Sequence, residues 1–234
     1  EREVINMELL ANGSIDGFIM SLSTETQQKS DYNHIKEVTD QGIPMVMFDR
    51  VTERIQCDKV VIDDAQGAFL AVKKFVESGK KKIALITTDD YLSVGKARTD
   101  GYKKALAHYN IPLEESLILK MPSMEVEATA FDSFFKTQEV DAVLCVNEIF
   151  AMHAMRLVHG MNKRIPEDIS FIGFTDGLLS KFAMPSLTAI AQHGELMGEE
   201  AARMLIEKVE TESDEATFTT TVLQPTLIER ASTL

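Results

Sequence analysis

The sequence predicts an α/β protein built from parallel β-sheets flanked by helices. Short apolar runs alternate along the chain with amphipathic stretches whose apolar residues recur at helical spacing. This strand–helix–strand order is typical of parallel sheets, because parallel strands need a long crossover connection. With 234 residues, of which 44% are hydrophobic, the chain can bury a large core as one big domain or as two smaller lobes.

The individual elements are predicted from the apolar pattern and from the residues that end helices and form loops. Gly79 and Gly160 end two of the helical patterns, in keeping with the preference for glycine just after a helix. The acidic stretch 210–215 predicts a solvated loop. The predicted strands are Ile15–Met20, Pro44–Phe48, Lys59–Ile62, Lys82–Thr87, Leu117–Lys120, Asp141–Val146, Ile169–Phe174 and Thr217–Leu223. The predicted helices are Glu3–Ala11, Tyr32–Asp40, Ala65–Ser78, Val94–Tyr109, Glu125–Lys136, Ile149–His159 and Glu195–Val209.

Polar residues follow several of the predicted strands, at the point where each strand ends. The carboxyl ends of successive parallel strands meet along one crevice, which is where open α/β sheets hold ligands. Carboxylates accept and guanidinium groups donate hydrogen bonds, so such a set is suited to hydroxyl groups. Any single member could equally be a strand end that meets water, and Asn147 could simply cap the next helix. The candidate ligand-binding residues are Asp49, Arg50, Asp63, Arg98, Asn147, Glu148, Thr175 and Asp176, with Asp64 beside them.

Signatures of catalysis, cofactors and metals are missing from the sequence. No dinucleotide-binding glycine motif, P-loop, nucleophile elbow or zinc-protease motif occurs. The five histidines have no metal-ligand spacing, and Met152, Met155 and Met161 are interpreted as core residues. We therefore expect no catalytic residue, no cofactor and no metal.

Charge and hydropathy restrict the partners and the compartment. Lys and Arg number 24 against 37 Asp and Glu, and a formal net charge of -13 has the wrong sign for gripping a nucleic-acid backbone. No apolar run approaches the roughly 20 residues of a membrane span. The first residues do not form a secretory signal, although a mature exported chain would lack one too. Cys57 and Cys145 are expected to be unpaired thiols in a reducing compartment, so we expect a cytoplasmic protein.

Several motifs occur in an order that identifies a family. The longest is Arg164–Asp176, reading RIPEDISFIGFTD, followed by Met184–Ile190, reading MPSLTAI. The chain closely resembles the effector-binding domain of the lactose-repressor (LacI/GalR) family of bacterial transcription regulators. The other segments that carry the resemblance are Ile15–Ile19, Gly42–Arg50, Arg98–Tyr102 with Ala105 and Leu106, Asp141–Glu148, and Leu227–Thr233.

The resemblance implies a two-lobed, periplasmic-binding-protein-like fold in which each lobe is a doubly wound sheet. The N-terminal lobe would comprise residues 1–62 completed by 191–220, and the C-terminal lobe 63–190 completed by 221–234. The family's first lobe begins with a strand, a helix and a second strand that have no counterpart here, and its helix-turn-helix headpiece has none either. A sheet without them would have an uncovered edge, so we expect a fragment of a longer repressor.

The resemblance also implies roles for particular residues in an interlobe cleft. Arg98 matches the family's arginine that binds ligand hydroxyls, and Asp63 matches a frequent ligand contact. Arg98 lies outside the apolar stripe of its predicted helix. We therefore expect that its loss weakens ligand binding and leaves folding intact. Thr175 replaces an aspartate of the family pattern, which favours an anionic ligand such as a sugar phosphate.

The function implied is effector sensing by a transcription regulator. A small polar metabolite, most simply a carbohydrate derivative, would favour the closed lobes of a homodimer and so reposition two headpieces on operator DNA. The alternative is a periplasmic sugar-binding protein of a transport system, which shares the fold. A doubly wound enzyme is the third possibility, but the sequence lacks its signatures.

Overall fold

The computed structural model describes residues 2–11, 13, 15–211 and 217–234. Most of the predicted acidic loop, residues 212–216, lies outside the described residues. The helices are α1 (Arg2–Leu10), α2 (Thr24–Lys29), α3 (Asn33–Asp40), α4 (Asp64–Glu77), α5 (Ser93–His108), α6 (Ala128–Thr137), α7 (Glu148–Gly160), α8 (Leu178–Phe182) and α9 (Gly194–Glu210). The strands are β1 (Phe18–Met20), β2 (Met45–Phe48), β3 (Asp58–Ile62), β4 (Ile83–Thr88), β5 (Ile118–Met121), β6 (Ala142–Cys145), β7 (Ser170–Phe174), β8 (Thr188–Ala191), β9 (Thr220–Leu223) and β10 (Thr226–Ile228).

The chain separates into two compact units. Unit 1 contains Glu1–Ile62, Tyr91–Val94 and His193–Leu223, and unit 2 contains Asp63–Asp90, Gly95–Gln192 and Gln224–Leu234. Each unit has its own sheet and its own apolar core. Among the described residues, no helix is long and apolar enough to cross a membrane.

Unit 1 is organised around a four-stranded parallel sheet. Its strand order is β1-β2-β3-β9, and α9 packs on β2 and β3. Met197, Ala201 and Met204 lie four and three residues apart on α9 and are buried against Val46 and Val60, as an amphipathic helix requires.

Unit 2 is organised around a six-stranded sheet with the order β10-β8-β7-β6-β4-β5. All neighbouring strands are parallel except β10, which runs antiparallel to β8. Its strands β4, β6 and β7 are buried along their whole length, which is the pattern of a parallel sheet covered on both faces. The closing motif holds the chain's end to this sheet, because Ser232 Oγ donates to Phe171 O and accepts from Thr188 N.

The predicted fold class is confirmed, and the differences are short elements. The sequence analysis did not predict α2, α8, β8 or β10. Each of these four has six residues or fewer. The predicted elements match in type, and their ends differ by a few residues.

Candidate functional site

The candidate site in unit 2 lies where β6 and β7 end and where α4 and α5 begin. Asn147 and Glu148 follow β6, while Thr175 and Asp176 follow β7. Arg98 connects the two strand ends, because its Nη1 donates to Val146 O and its guanidinium lies 4.1 Å from the ring centre of Phe174. The fold therefore brings these predicted residues to one edge of the sheet.

Arg98 is a buried residue, and its burial argues against the expectation that its loss would leave folding intact. Its side chain is 6% exposed, and its Nε donates to Asp64 Oδ1 over 2.6 Å. Asp64 is buried too, at 9% side-chain exposure. Because burial strips water from both charges, each needs the other as its partner. The sequence pattern could not show this, because it places Arg98 off the apolar stripe and says nothing of what covers it.

Asp63 and Asn147 each cap the helix that follows them. Asp63 Oδ1 accepts from Gln66 N over 2.8 Å, and Asn147 Oδ1 accepts from Phe150 N over 2.7 Å. The predicted capping role of Asn147 is thus confirmed. In Asp63 the cap occupies one carboxylate oxygen and leaves the other. In Asn147 it occupies the only side-chain oxygen, and Nδ2 lies 3.9 Å from Met124 Sδ. A cap also fixes the side-chain direction, which suits a residue that has to meet a ligand.

Glu148 and Asp176 are held by neighbouring protein groups. Glu148 Oε2 accepts from Ser180 Oγ over 3.0 Å and from Ser180 N over 3.2 Å. Asp176 pairs with Arg230 Nη2, and Lys181 Nζ lies 3.8 Å from its other oxygen. Both carboxylates therefore also stabilise unit 2, a role that the sequence analysis did not foresee.

Thr175 has a left-handed backbone with φ of 80°, which is unusual for a β-branched residue. Three hydrogen bonds secure it: Thr175 N donates to Ile190 O over 3.0 Å, Thr175 Oγ1 donates to Gln192 Oε1 over 2.6 Å, and Thr175 O accepts from Ser180 Oγ over 3.0 Å. Gln192 is a residue that sequence reasoning missed. No strand end or motif pointed to it, since its position depends on β8 lying beside β7.

Asp49 and Arg50 belong to unit 1, at the carboxyl end of β2. Asp49 has φ of 57°, and its N donates to Val60 O over 3.1 Å. Arg50 Nε donates to Ser21 Oγ over 3.2 Å. Both residues are half-buried at the edge of their own sheet. Their part in ligand binding stays a prediction.

The chemistry available at the unit 2 edge is hydrogen bonding. Arg98 and the side-chain amide of Asn147 supply donors, while Thr175 and the nearby carboxylates supply acceptors. Burial raises the pKa of the Cys145 thiol far above its ordinary value, so this neighbour is inert as a nucleophile. Within the described ranges, no three His, Cys, Asp or Glu side chains are grouped so that they could hold a metal ion.

Comparison with known proteins identifies the family. The Periplasmic binding protein-like domain family matches residues 72–233. An HTH-type transcriptional repressor PurR from Haemophilus influenzae is 30% identical over 97% of this chain and 67% of its own length. The chain belongs to the LacI family. Specifically, it corresponds to the periplasmic-binding-protein-like, effector-binding domain of these regulators.

Two solved structures agree with this assignment. A transcriptional regulator CelR–cellobiose complex has a TM-score of 0.84 at 27% identity, over 97% of this chain and 69% of that one. A LacI family regulator from Enterococcus faecium with bound ribose has a TM-score of 0.84 at 25% identity, over 98% and 84% of the two chains.

The assignment decides between the functional classes left open by the sequence. The relatives are transcription regulators, so this LacI-family domain is an effector-sensing core and neither an enzyme nor a transport protein. The chain spans 60% to 69% of the length of the curated relatives with which it aligns.

Proposed function

We propose that this LacI-family domain binds a small neutral polyhydroxy ligand, derived from a carbohydrate, at the unit 2 sheet edge. Arg98 is the principal anchor, and Asp63, Asn147, Glu148, Thr175 and Asp176 surround it as direct contacts or as supports. The observation that carries the proposal is the fixed position of Arg98. Bonds to Asp64 and Val146 use two of the five guanidinium donors and set the plane in which the others point. A planar fork of this kind fits two adjacent hydroxyls.

The charges at this edge support a neutral ligand over an anionic one. Asp64 already compensates the positive charge of Arg98 at 2.6 Å. Asp63, Glu148 and Asp176 add further carboxylates along the same edge, and of these Asp176 is paired with Arg230. An anion would therefore meet a surface with little net positive charge, whereas hydroxyl groups can donate to the carboxylates. The relatives in complex with cellobiose and ribose also hold neutral sugars.

Calorimetric titration of the purified chain tests the ligand class. The series contains D-ribose, cellobiose and ribose 5-phosphate, followed by other neutral sugars and their phosphates. We expect a neutral sugar to bind and its phosphorylated form to bind more weakly. Tighter binding of the phosphorylated form would contradict the neutral-ligand proposal. If no sugar of either kind raised the melting temperature or released heat, the carbohydrate proposal would fail as a whole.

We further propose that the domain forms a homodimer through the apolar face of α8. This face consists of Leu178, Leu179 and Phe182 on α8 together with Met184 just after the helix, and Phe182 and Met184 are 83% and 92% exposed. Large side chains exposed side by side on one short segment are typical of an interface with another protein. A second copy is the occupant we propose, because dimers with twofold symmetry are the commonest assemblies of soluble proteins. Sedimentation should show a dimer for the wild type and a monomer for Phe182→Glu, and a wild type that stays monomeric at high concentration would contradict the proposal.

The longer relatives are the proteins that bind DNA. We propose that this domain acts on DNA in the cytoplasm through a helix-turn-helix segment. The formal net charge of -13 supports a division of labour in which this domain senses and another segment binds DNA. The purified chain should therefore not retard an operator-like duplex at physiological salt. Specific retardation by the chain alone would assign DNA binding to the domain itself.

A further inference from the structure

Unit 1 contains a cavity of about 530 Å³ at the edge of its sheet where the parallel strands begin. It is lined by residues that precede β2, β3 and β9 and by the second half of α9. Asp49 and Arg50 follow β2, so they lie at the opposite edge of the same sheet. The cavity falls within the roughly 300–1,000 Å³ that small-molecule sites occupy, and none of its lining residues belongs to the proposed sugar-binding edge of unit 2.

The charged groups around the cavity are paired with one another. Lys208 Nζ lies 3.3 Å from Asp58 Oδ2, and Asp58 Oδ1 also accepts from Thr219 N over 2.7 Å. Arg203 Nη1 donates to Glu207 Oε1 over 2.7 Å. The two cations and the two carboxylates that line the cavity therefore cancel in formal charge. An ion that entered would lose its water without gaining an unpaired partner, so the cavity suits a neutral ligand.

The apolar part of the cavity is rich in sulfur. Met45, Cys57 and Met204 line it, and each of them is no more than 6% exposed. Phe218 lines it too and is 42% exposed. Methionine sulfur makes favourable contacts with aromatic rings, and aromatic rings pack favourably against one another. The exposed side-chain amide of Gln56 offers a donor and an acceptor for one polar group.

We propose that unit 1 binds a neutral aromatic alcohol in this cavity, as a second small-molecule site of the domain. The inference is independent of the carbohydrate proposal, because it concerns other residues and another chemical class. A ligand in the cavity would contact α9 together with the starts of β2 and β3, so it should also raise the melting temperature of the chain.

Protection of a thiol tests the site, with benzyl alcohol as the probe. The chain has two cysteines, of which Cys57 lines the cavity and Cys145 is fully buried in unit 2. Burial raises the pKa of the Cys57 thiol to about 11, so its alkylation by iodoacetamide should be slow and is followed by mass spectrometry at mildly alkaline pH. We expect millimolar benzyl alcohol to slow alkylation of Cys57 by about threefold or more and to leave the rate at Cys145 unchanged. An unchanged rate at Cys57, or equal slowing at both cysteines, would overturn the site.

Two matched compounds test the chemical class. Cyclohexylmethanol keeps the hydroxyl group and nearly the same shape but has no aromatic ring, and benzoate keeps the ring but carries a negative charge. We expect both compounds to protect Cys57 less than benzyl alcohol does at the same concentration. Equal or stronger protection by either compound would overturn the assignment to neutral aromatic ligands.

Two variants test where the ligand binds. Met45→Leu nearly keeps the side-chain volume and removes the sulfur, so it should weaken benzyl alcohol by about threefold and leave cyclohexylmethanol unchanged. Phe218→Ala removes an exposed ring, should weaken benzyl alcohol by about fivefold, and provides the second test should Met45→Leu fail to fold. Ile206→Ala is the matched control, because Ile206 is exposed on α9 and does not line the cavity. If benzyl alcohol protected Cys57 equally well in Phe218→Ala and Ile206→Ala, the ligand would not lie in this cavity and the proposal would fail.

Discussion

Arg98 and Asp64 form a buried ion pair in which Nε and Oδ1 are 2.6 Å apart and neither side chain is more than 9% exposed. The pair joins the first residue of α4 to the second turn of α5, and the two residues are 34 positions apart in the chain. Phe174 covers one face of the guanidinium at 4.1 Å, and an aromatic face attracts a cation. These contacts stabilise unit 2, and the proposed function gives the same arginine a second role as the ligand anchor.

Removing Arg98 should reduce both ligand affinity and stability. Arg98→Ala leaves Asp64 buried without its partner, which costs about 3–5 kcal/mol in the free energy of unfolding. Asp64→Asn should be destabilising for the converse reason. Urea denaturation measures the loss, with Arg156→Ala as the control because Arg156 is exposed on α7. A loss below about 1 kcal/mol for Arg98→Ala would show that water reaches the pair.

A double variant separates the two purposes of Arg98. Arg98→Met combined with Asp64→Asn removes both charges together, so the free energy of unfolding should recover most of the loss. Ligand affinity should stay at least about thirtyfold below wild type, which corresponds to about 2 kcal/mol. Calorimetric titration with the sugar identified for the wild type provides the measurement. If the double variant binds within threefold of wild type, Arg98 is a structural residue and not the ligand anchor.

The fold was predictable because it depends on local patterns, whereas the site depends on register. The composition of apolar runs such as Ala142–Cys145 is enough to predict a parallel strand that is covered on both faces. The motif around Arg98 likewise predicted a ligand-binding role through its resemblance to a family, and that role stays a prediction. The pairing of Arg98 with Asp64 could not be predicted in this way. It depends on how α4 and α5 are rotated against each other, and no spacing in the sequence encodes this rotation.

The sequence analysis also missed residues whose hydrogen-bond partners are far away in the sequence. Asp58 opens β3 as a buried charge, because its carboxylate accepts from Thr219 N over 2.7 Å and pairs with Lys208. The predicted strand began one residue later, at Lys59, because the partners of Asp58 lie about 150 residues further along the chain and no local pattern shows them. Gln192 escaped notice for a similar reason, since its role follows from its bond to Thr175.

Thr175→Asp should discriminate between neutral and anionic ligands. The new carboxylate would face Gln192 Oε1, which now accepts from Thr175 Oγ1, and would add negative charge to the edge. We expect the ratio of dissociation constants for a sugar phosphate and its parent sugar to rise about tenfold, or about 1.4 kcal/mol. Thr175→Asn, which has the same shape without the charge, is the control and should leave that ratio near its wild-type value. An equal loss for both ligands in Thr175→Asp would mean that shape and not charge matters here.

Acid should weaken unit 1 through Glu200. Bonds from Arg203 and Thr221 lower the pKa of Glu200 from 4.5 to about 2, and the Thr221 bond joins α9 to β9. A carboxyl whose folded pKa is depressed contributes stability that is fully present above its ordinary pKa and is lost as the pH falls towards the folded value. The difference in urea midpoint between wild type and Glu200→Gln should therefore shrink from pH 5 to pH 2. Glu199 is exposed on the same helix, so the difference in urea midpoint between wild type and Glu199→Gln should stay constant over this pH range. A constant difference for Glu200→Gln would contradict the stabilising role of the Glu200 carboxylate.

Gly101 in the motif Arg98–Tyr102 should be irreplaceable for a steric reason. A Cβ at this position would lie 2.1 Å from Ala65 O and 2.7 Å from Ala65 Cα, so the two helices that carry Arg98 and Asp64 could not approach. Backbone atoms cannot move aside as a flexible side chain can, and we expect Gly101→Ala to cost about 3 kcal/mol or more through overpacking. Gly160→Ala is the matched control, because a Cβ there meets nothing within 4 Å and alanine favours the helix. Thermal and urea denaturation of the two variants provide the measurement. Equal stability of both variants would show that α5 can shift away from α4. In that case the ligand affinity of Gly101→Ala should fall, because Arg98 moves with its helix.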